Sequence, residues 1–204
     1  SGTYIEFMAA GVIMLTAIFT SIFGGVNTLW DRRYGFMNKA LVSPVSRSSI
    51  ALGKMLAISV ISTLQSSLIL GMALALGVHI SNLLVIFPIL LTVTVFSLGF
   101  SGISVIVAAT SKSQETFWGV INFLGMPLFM LSPPLFPLEL LPPWLAFVAR
   151  LNPVTYAVLL IRQMMTGTVQ ILPVAIELAV IGGFVVVMVS IASYVFTREV
   201  NKPF

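Results

Sequence analysis

The sequence has no cysteine, which excludes disulfides and thiolate chemistry. It has one histidine, His79, in the short stretch VHISN. A metal site needs several His, Cys or carboxylate ligands converging, so no metal is expected. A Ser–His dyad would have to rest on that same residue, and no apolar run carries the two carboxylates an acid–base pair needs. Charge is scarce as well. Lys, Arg, Asp and Glu make up 8% of the 204 residues, against roughly 25% in a soluble domain. So little charge cannot cover a water-facing surface. The phosphate-cradling pattern G-x-x-x-x-G-K-[ST] is also missing: Gly53-Lys54 is followed by Met55, and position 48 is Ser. If ATP is used, another polypeptide binds it.

Apolar residues fill the space. They make up 58% of the chain, with a mean hydropathy of +1.10, the composition of an integral membrane protein. Five runs approach the length of about 20 residues that a bilayer core demands of a helix: 7–29, 55–77, 83–109, 117–131 and 171–196. The first is too long, and too poorly flanked by positive charge, to be a cleaved signal peptide. The net charge of +4 does not indicate nucleic acid, because the positive charge is gathered in loops between apolar runs. Five spans place Arg32, Arg33, Lys39, Arg47, Lys54, Lys112, Arg198 and Lys202 on one side, and only Arg150 and Arg162 on the other. The positive-inside rule then sets the first side in the cytoplasm, with the N-terminus outside and the C-terminus inside. The chain reads as a single domain, 1–204, all-α.

The stretch 132–170 is too long for a turn and contains Pro133, Pro134, Pro137, Pro142, Pro143 and Pro153. Pro143 suits the first turn of a short helix reaching Arg150. Asn152-Pro153 breaks that helix, and a second follows from Val154 to Met165, too short to cross a bilayer. Trp144, Phe147 and Tyr156 fit the membrane–water boundary. The expectation is an outer re-entrant helical hairpin, with an ordinary surface loop as the alternative.

Residues 30–54, WDRRYGFMNKALVSPVSRSSIALGK, hold half of the chain's ten basic residues. Phe36, Met37, Ala40 and Leu41 repeat at helical spacing, with Asn38 and Lys39 turned away. Ser43-Pro44 stops the helix, and Ser46 or Ser48 can cap the next one. The residues alone leave two roles open for this rod, an interfacial helix held by anionic lipid or a docking element for a protein.

The same stretch resembles the cytoplasmic segment of ABC-2 type exporter permeases, the group that includes daunorubicin-resistance and nodulation-factor transporters. The likeness lies in the Asp-Arg-Arg-x-Gly-Phe opening at 31–36, Pro-Val-Ser-Arg at 44–47 and Leu-Gly-Lys at 52–54. LNPVTYAVLLIRQ, 151–163, resembles the family's Asn-Pro-x-Thr-Tyr element, and YIEFMAAGVIM, 4–14, the lead-in to its second span. Family permeases usually carry six spans, so the resemblance implies that the first is missing here. It also implies a coupling helix gripped by a separate ABC ATPase subunit, which carries ATP and Mg while this chain carries no cofactor. A second permease copy, identical or similar, would complete the pathway in the plasma membrane. Arg32, Arg33, Lys39 and Arg47 would orient docking, with Phe36, Met37 and Leu41 supplying the buried contact. Trp144, Asn152, Pro153 and Tyr156 would belong to the outer hairpin.

Few polar residues enter the apolar runs. Ser59, Ser62 and Ser66 share a face with Gln65 beside them, and Ser97, Ser101, Ser104 and Ala108 form a small-residue stripe. Close helix packing is the first expectation for these, and a substrate-facing lining, to which Asn27 and Asn122 could add, is the alternative. Glu177 lies a few residues into the last run. It is expected either to pair with Arg150 or Arg162 near the outer surface or to attract a cationic amphiphile. Asp31 is expected to pair with the adjacent arginines. The reading is therefore an exporter permease for hydrophobic or amphiphilic cargo, not itself an enzyme. The alternative is a membrane scaffold or small channel, not coupled to ATP, whose basic loop holds anionic lipid.

Overall fold

The computed structural model describes residues 4–35, 44–80, 82–130, 142–168 and 171–199. Among these residues all regular structure is helical: α1 Tyr4–Phe23, α2 Val26–Arg33, α3 Arg47–Ala75, α4 Ile86–Thr110, α5 Gln114–Met130, α6 Pro143–Leu151, α7 Pro153–Thr166 and α8 Ile171–Glu199. Four stretches are long and apolar enough to cross a membrane: Ile5–Arg33, Arg47–Ala75, Leu83–Thr110 and Pro173–Glu199. The fifth expected span falls on α5, whose 17 residues rise only about 25 Å, at the short end of what a bilayer core requires.

Local chemistry sets the helix ends. The first apolar run is not one straight helix. Gly24-Gly25 interrupts it, and α2 restarts at Val26 without a side-chain cap. The second span begins earlier than its hydropathy suggests. Ser46 is extended, and its hydroxyl accepts the Ser49 amide at 3.2 Å, so the helix starts at Arg47 rather than at 55. The end of α3 is closed by Gly77 at φ +89° and by the Val78 amide reaching back to the Ala73 carbonyl at 3.1 Å. That pairing is a Schellman motif, and Gly is the residue that takes the left-handed position without strain. Pro88 is tolerated because it lies in the first turn of α4, whose amides lack intrahelical acceptors.

α4 is the centre of the bundle. It packs on α8, α3 and α1, and Ile89, Val93, Phe96, Phe100 and Ala108 are fully buried. α1, α4 and α8 run one way and α3 returns between them. Small residues set the spacing. A Cβ at Gly25 would lie 2.5 Å from the Ser104 carbonyl oxygen, one at Gly99 2.8 Å from the Phe184 ring, and one at Gly102 3.1 Å from the Met188 carbonyl oxygen. The Phe184 ring reaches over Gly99 to join Phe96 and Phe100, with centroids 6.3 and 5.3 Å away. Without these glycines the helix axes would have to separate.

Gly25→Ala is therefore expected to destabilise the bundle by about 1–3 kcal/mol through overpacking. Gly182→Ala, where an added Cβ meets nothing within 4 Å, should leave it unchanged or slightly more stable. Thermal melts of the two variants in detergent would separate these outcomes.

Candidate functional site

Three regions hold the polar residues singled out from the sequence. The first is the seam between α1, α3 and α4. Ser59, Ser62 and Ser66 are all buried. The Ser59 hydroxyl donates to the Thr94 carbonyl at 2.6 Å, Ser62 to the Ala17 carbonyl at 3.3 Å, and Ser66 to the Ile13 carbonyl at 3.4 Å. Ser62 also meets Ser97 hydroxyl to hydroxyl at 2.7 Å. Ser101 donates to the Met55 carbonyl at 3.3 Å and Ser104 to the Ser21 carbonyl at 2.8 Å. These hydroxyls join helices to one another. Gln65 is exposed well inside the α3 span, where it accepts from Thr20 of α1, and Asn27 is exposed near the start of α2. The Asn122 amide donates to the Trp118 carbonyl at 2.8 Å, beside an apolar recess between α1 and α5 lined by Ile18, Phe19, Ile22, Phe23, Ile121 and Gly125.

The second region is the basic end. Asp31 pairs with Lys54 of α3 rather than with the adjacent arginines. On a helix, neighbours in sequence point about 100° apart and do not face each other. Arg32 turns inward and donates to the carbonyls of Ala108, at 3.3 Å, and Ala109, and to that of Glu199 at 3.4 Å. Arg33 is exposed, and Arg47 is half-buried at the first position of α3. Phe36, Met37, Lys39 and Leu41 lie outside the described residues. Near this end the Ser113 hydroxyl caps α5 by accepting the Thr116 amide at 3.1 Å. Hydrogen bonding from that Ser113 side chain, and then from backbone, holds the Glu115 carboxyl below its usual range.

The third region is the opposite end, where the Asn-Pro-x-Thr-Tyr element has a clear local logic. Pro153 forces Asn152 into an extended conformation, which ends α6. The Asn152 side chain accepts the Val154 amide at 3.0 Å and so caps α7. Thr155 and Tyr156 reach back to the Ala149 and Arg150 carbonyls at 2.5 and 2.8 Å. Asn, Thr and Tyr thus fix the angle between the two short helices, and α7 buries Val154, Ala157, Val158, Leu160 and Ile161 in the main core. Trp144 and Phe147 are exposed on α6. Glu177 is 4% exposed. Its partner is the Gln163 side chain, which donates to Oε1 at 2.6 Å, and not the expected Arg150 or Arg162. Arg162 instead lies over the Phe7 ring, 3.5 Å from its centroid. Its one-residue offset from Gln163 sends it to α1 while Gln163 faces α8. The signal for Gln163 in the sequence is that it is the one carboxamide side chain of α7, next to Arg162. His79 is exposed in the turn after α3, and among the described residues no three His, Cys, Asp or Glu side chains converge.

The family model for the ABC-2 type transporter matches residues 2–166. The chain belongs to the ABC-2 type transporter family. It is 32% identical over 163 residues to the transport permease ycf38 of Cyanophora paradoxa, a match covering 78% of this chain and 55% of that protein. It is 26% identical over 147 residues to the multidrug ABC transporter permease YbhR of Escherichia coli K12, covering 71% of this chain and 39% of the relative. Nodulation protein J of Rhizobium leguminosarum bv. viciae is 24% identical over 203 residues, covering 98% of this chain and 77% of the relative. The chain spans about half the length of the ycf38 permeases it matches. No solved structure matches it. As an ABC-2 type protein it is an all-α integral membrane protein, and the described parts of its first motif, 31–35 and 44–54, lie at the opposite end of the bundle from 151–163.

Glu177→Gln keeps an amide-matched partner for Gln163 and removes a buried ionisable group, so it should melt at or above the wild-type temperature. Gln163→Leu removes the one donor to the carboxyl and should cost about 1–3 kcal/mol. Melting curves in lipid nanodiscs would check both, and equal melting of the two variants would contradict the pairing.

Proposed function

We propose that the chain is a membrane permease subunit of an ATP-driven exporter, with ATP hydrolysed by a separate subunit. The observation that carries this reading is the family match over residues 2–166, and the clustering of basic residues at one end of the bundle supports it. In this reading that end faces the cytoplasm of a plasma membrane and the chain begins on the outside. α5 completes a fifth span, and α6 and α7 form the outer re-entrant hairpin. A second permease copy supplies the other wall of the path.

Residues 35–43 form the coupling helix. Phe36, Met37 and Leu41 supply its buried contact with the ATPase, and Arg33, Lys39 and Arg47 steer the encounter. Closure of the ATPase dimer shifts the permease between inward and outward access. It can do so only because the motor binds the two states with different affinity. The cargo is hydrophobic or amphiphilic. The outward faces of the spans are mostly apolar, and Ser59, Ser62, Ser66, Ser101 and Ser104 within the spans are committed to helix contacts. Asn27, exposed near the start of α2, is placed to meet a polar head, whereas Glu177, buried against Gln163, could do so only if that contact opened.

Replacing Phe36 and Leu41 together with Asp should abolish export while leaving the bundle inserted, and should sharply reduce recovery of a nucleotide-binding subunit in affinity capture from native membranes. Unchanged export in that double variant removes the docking assignment. Cargo or ion flux from the reconstituted chain alone, without nucleotide, would favour a lipid-anchored channel instead.

A further inference from the structure

Residues 34–46 connect α2 to α3 along the chain, so hydropathy alone would send any push on them into the first two spans. The contacts of α2 point elsewhere. The last four carbonyls of a helix lack intrahelical donors. In α4 the Val107 carbonyl is satisfied by the Ser111 amide at 2.9 Å, and the carbonyls of Ala108 and Ala109 are taken by Arg32 Nη1. Its other terminal nitrogen reaches the Glu199 carbonyl at the end of α8, at 3.4 Å. One planar guanidinium thus spans two helix C-termini, where the helix dipoles favour positive charge. One residue earlier, Asp31 binds Lys54 of α3. The start of α2 is held as well. A Cβ at Gly24 would come 2.7 Å from Ile58 of α3, and one at Gly25 2.5 Å from the Ser104 carbonyl oxygen of α4. Thr28 and Leu29 are buried between these two anchor points.

We propose that α2 is a rigid bracket and that Arg32 is its positioning residue, tying the coupling loop to the C-terminal ends of α4 and α8 rather than presenting itself to a motor protein. Movement of the loop is then delivered to the third and last spans together with α3, and α1 follows through the Gly24-Gly25 joint. The transport consequence rests on the function proposed above, but the bracket itself does not.

Hydrogen exchange on the chain alone, in nanodiscs, tests the bracket directly. In Arg32→Ala, amides of α2, of the last turn of α4 and of the last turn of α8 should lose protection together, by about tenfold or more, while mid-span amides of α3 hold. If protection at 107–110 and 196–199 is unchanged, the bracket does not exist. Co-expression with the ATPase tests the consequence. Arg32→Ala should still capture the ATPase but export little cargo. Arg32→Lys, which keeps the charge but has one nitrogen in place of the fork that reaches α4 and α8 separately, should restore export only in part. Full rescue by Lys, or loss of ATPase capture with exchange unaltered, would make Arg32 a docking residue and overturn the proposal. If wild-type chain captures no ATPase, the exporter reading fails while the exchange result still decides the bracket. If Arg32→Ala does not insert, wild-type exchange decides instead: α2 and the two helix ends should open as one cooperative unit, and independent opening of α2 would sink the bracket.

Discussion

The close approach of α4 to its neighbours is the constraint on which the rest of the bundle depends. In a bilayer the lipid tails are as apolar as leucine, so burial of apolar area between helices gives little drive. Association rests on van der Waals contact and on hydrogen bonds across helix faces. Both need the axes to come near. Gly99 admits the Phe184 ring, Gly102 admits the Met188 backbone, and Gly25 lies against Ser104. The Ser62–Ser97 and Ser104–Ser21 bonds are possible at the distances these small residues permit. Removing the side chain at one position and placing a hydroxyl at the next serve the same end.

The scarce charges are used at the two ends. Isolated charges within a bilayer are costly, so each has to find backbone, a counter-charge or the interface. Arg32 finds the spare carbonyls of two helices, Lys54 finds Asp31, and Arg162 lies over an aromatic ring. Each choice also does structural work. The α4 and α8 ends are drawn to α2, α3 is tied to α2, and α7 is set against α1. The Asn152-Pro153 corner solves the matching problem for the short helices. A proline ends one and begins the other, and the Thr155 and Tyr156 hydroxyls return to the carbonyls left at the break.

Much of this was legible in the residues. The length and apolarity of the spans, the cap at Ser46, the break at Asn152-Pro153 and the packing role open to the serine stripe all follow from local chemistry or from periodicity. The misjudged features share a cause. Asp31 invites its neighbouring arginines and Glu177 the arginines of opposite charge, because a sequence shows charge and order along the chain but not which side chain faces an acid. Lys54 lies 23 residues from Asp31, and Gln163, 14 residues from Glu177, is even nearer along the chain than Arg162 yet carries no charge to mark it. The interruption at Gly24-Gly25 was present as two glycines, but a glycine pair in an apolar run can equally be a packing notch, and only the positions of Ile58 and Ser104 on other helices fix which.

The sequence by itself determined that the chain is a helical membrane protein with its positive charge at one end, because bilayer thickness and backbone hydrogen bonding leave an apolar run of that length no other fold. Tertiary structure alone decided which polar groups meet. A hydrogen bond is set by angstroms between helices, and those distances come from side chains on four helices packing at once.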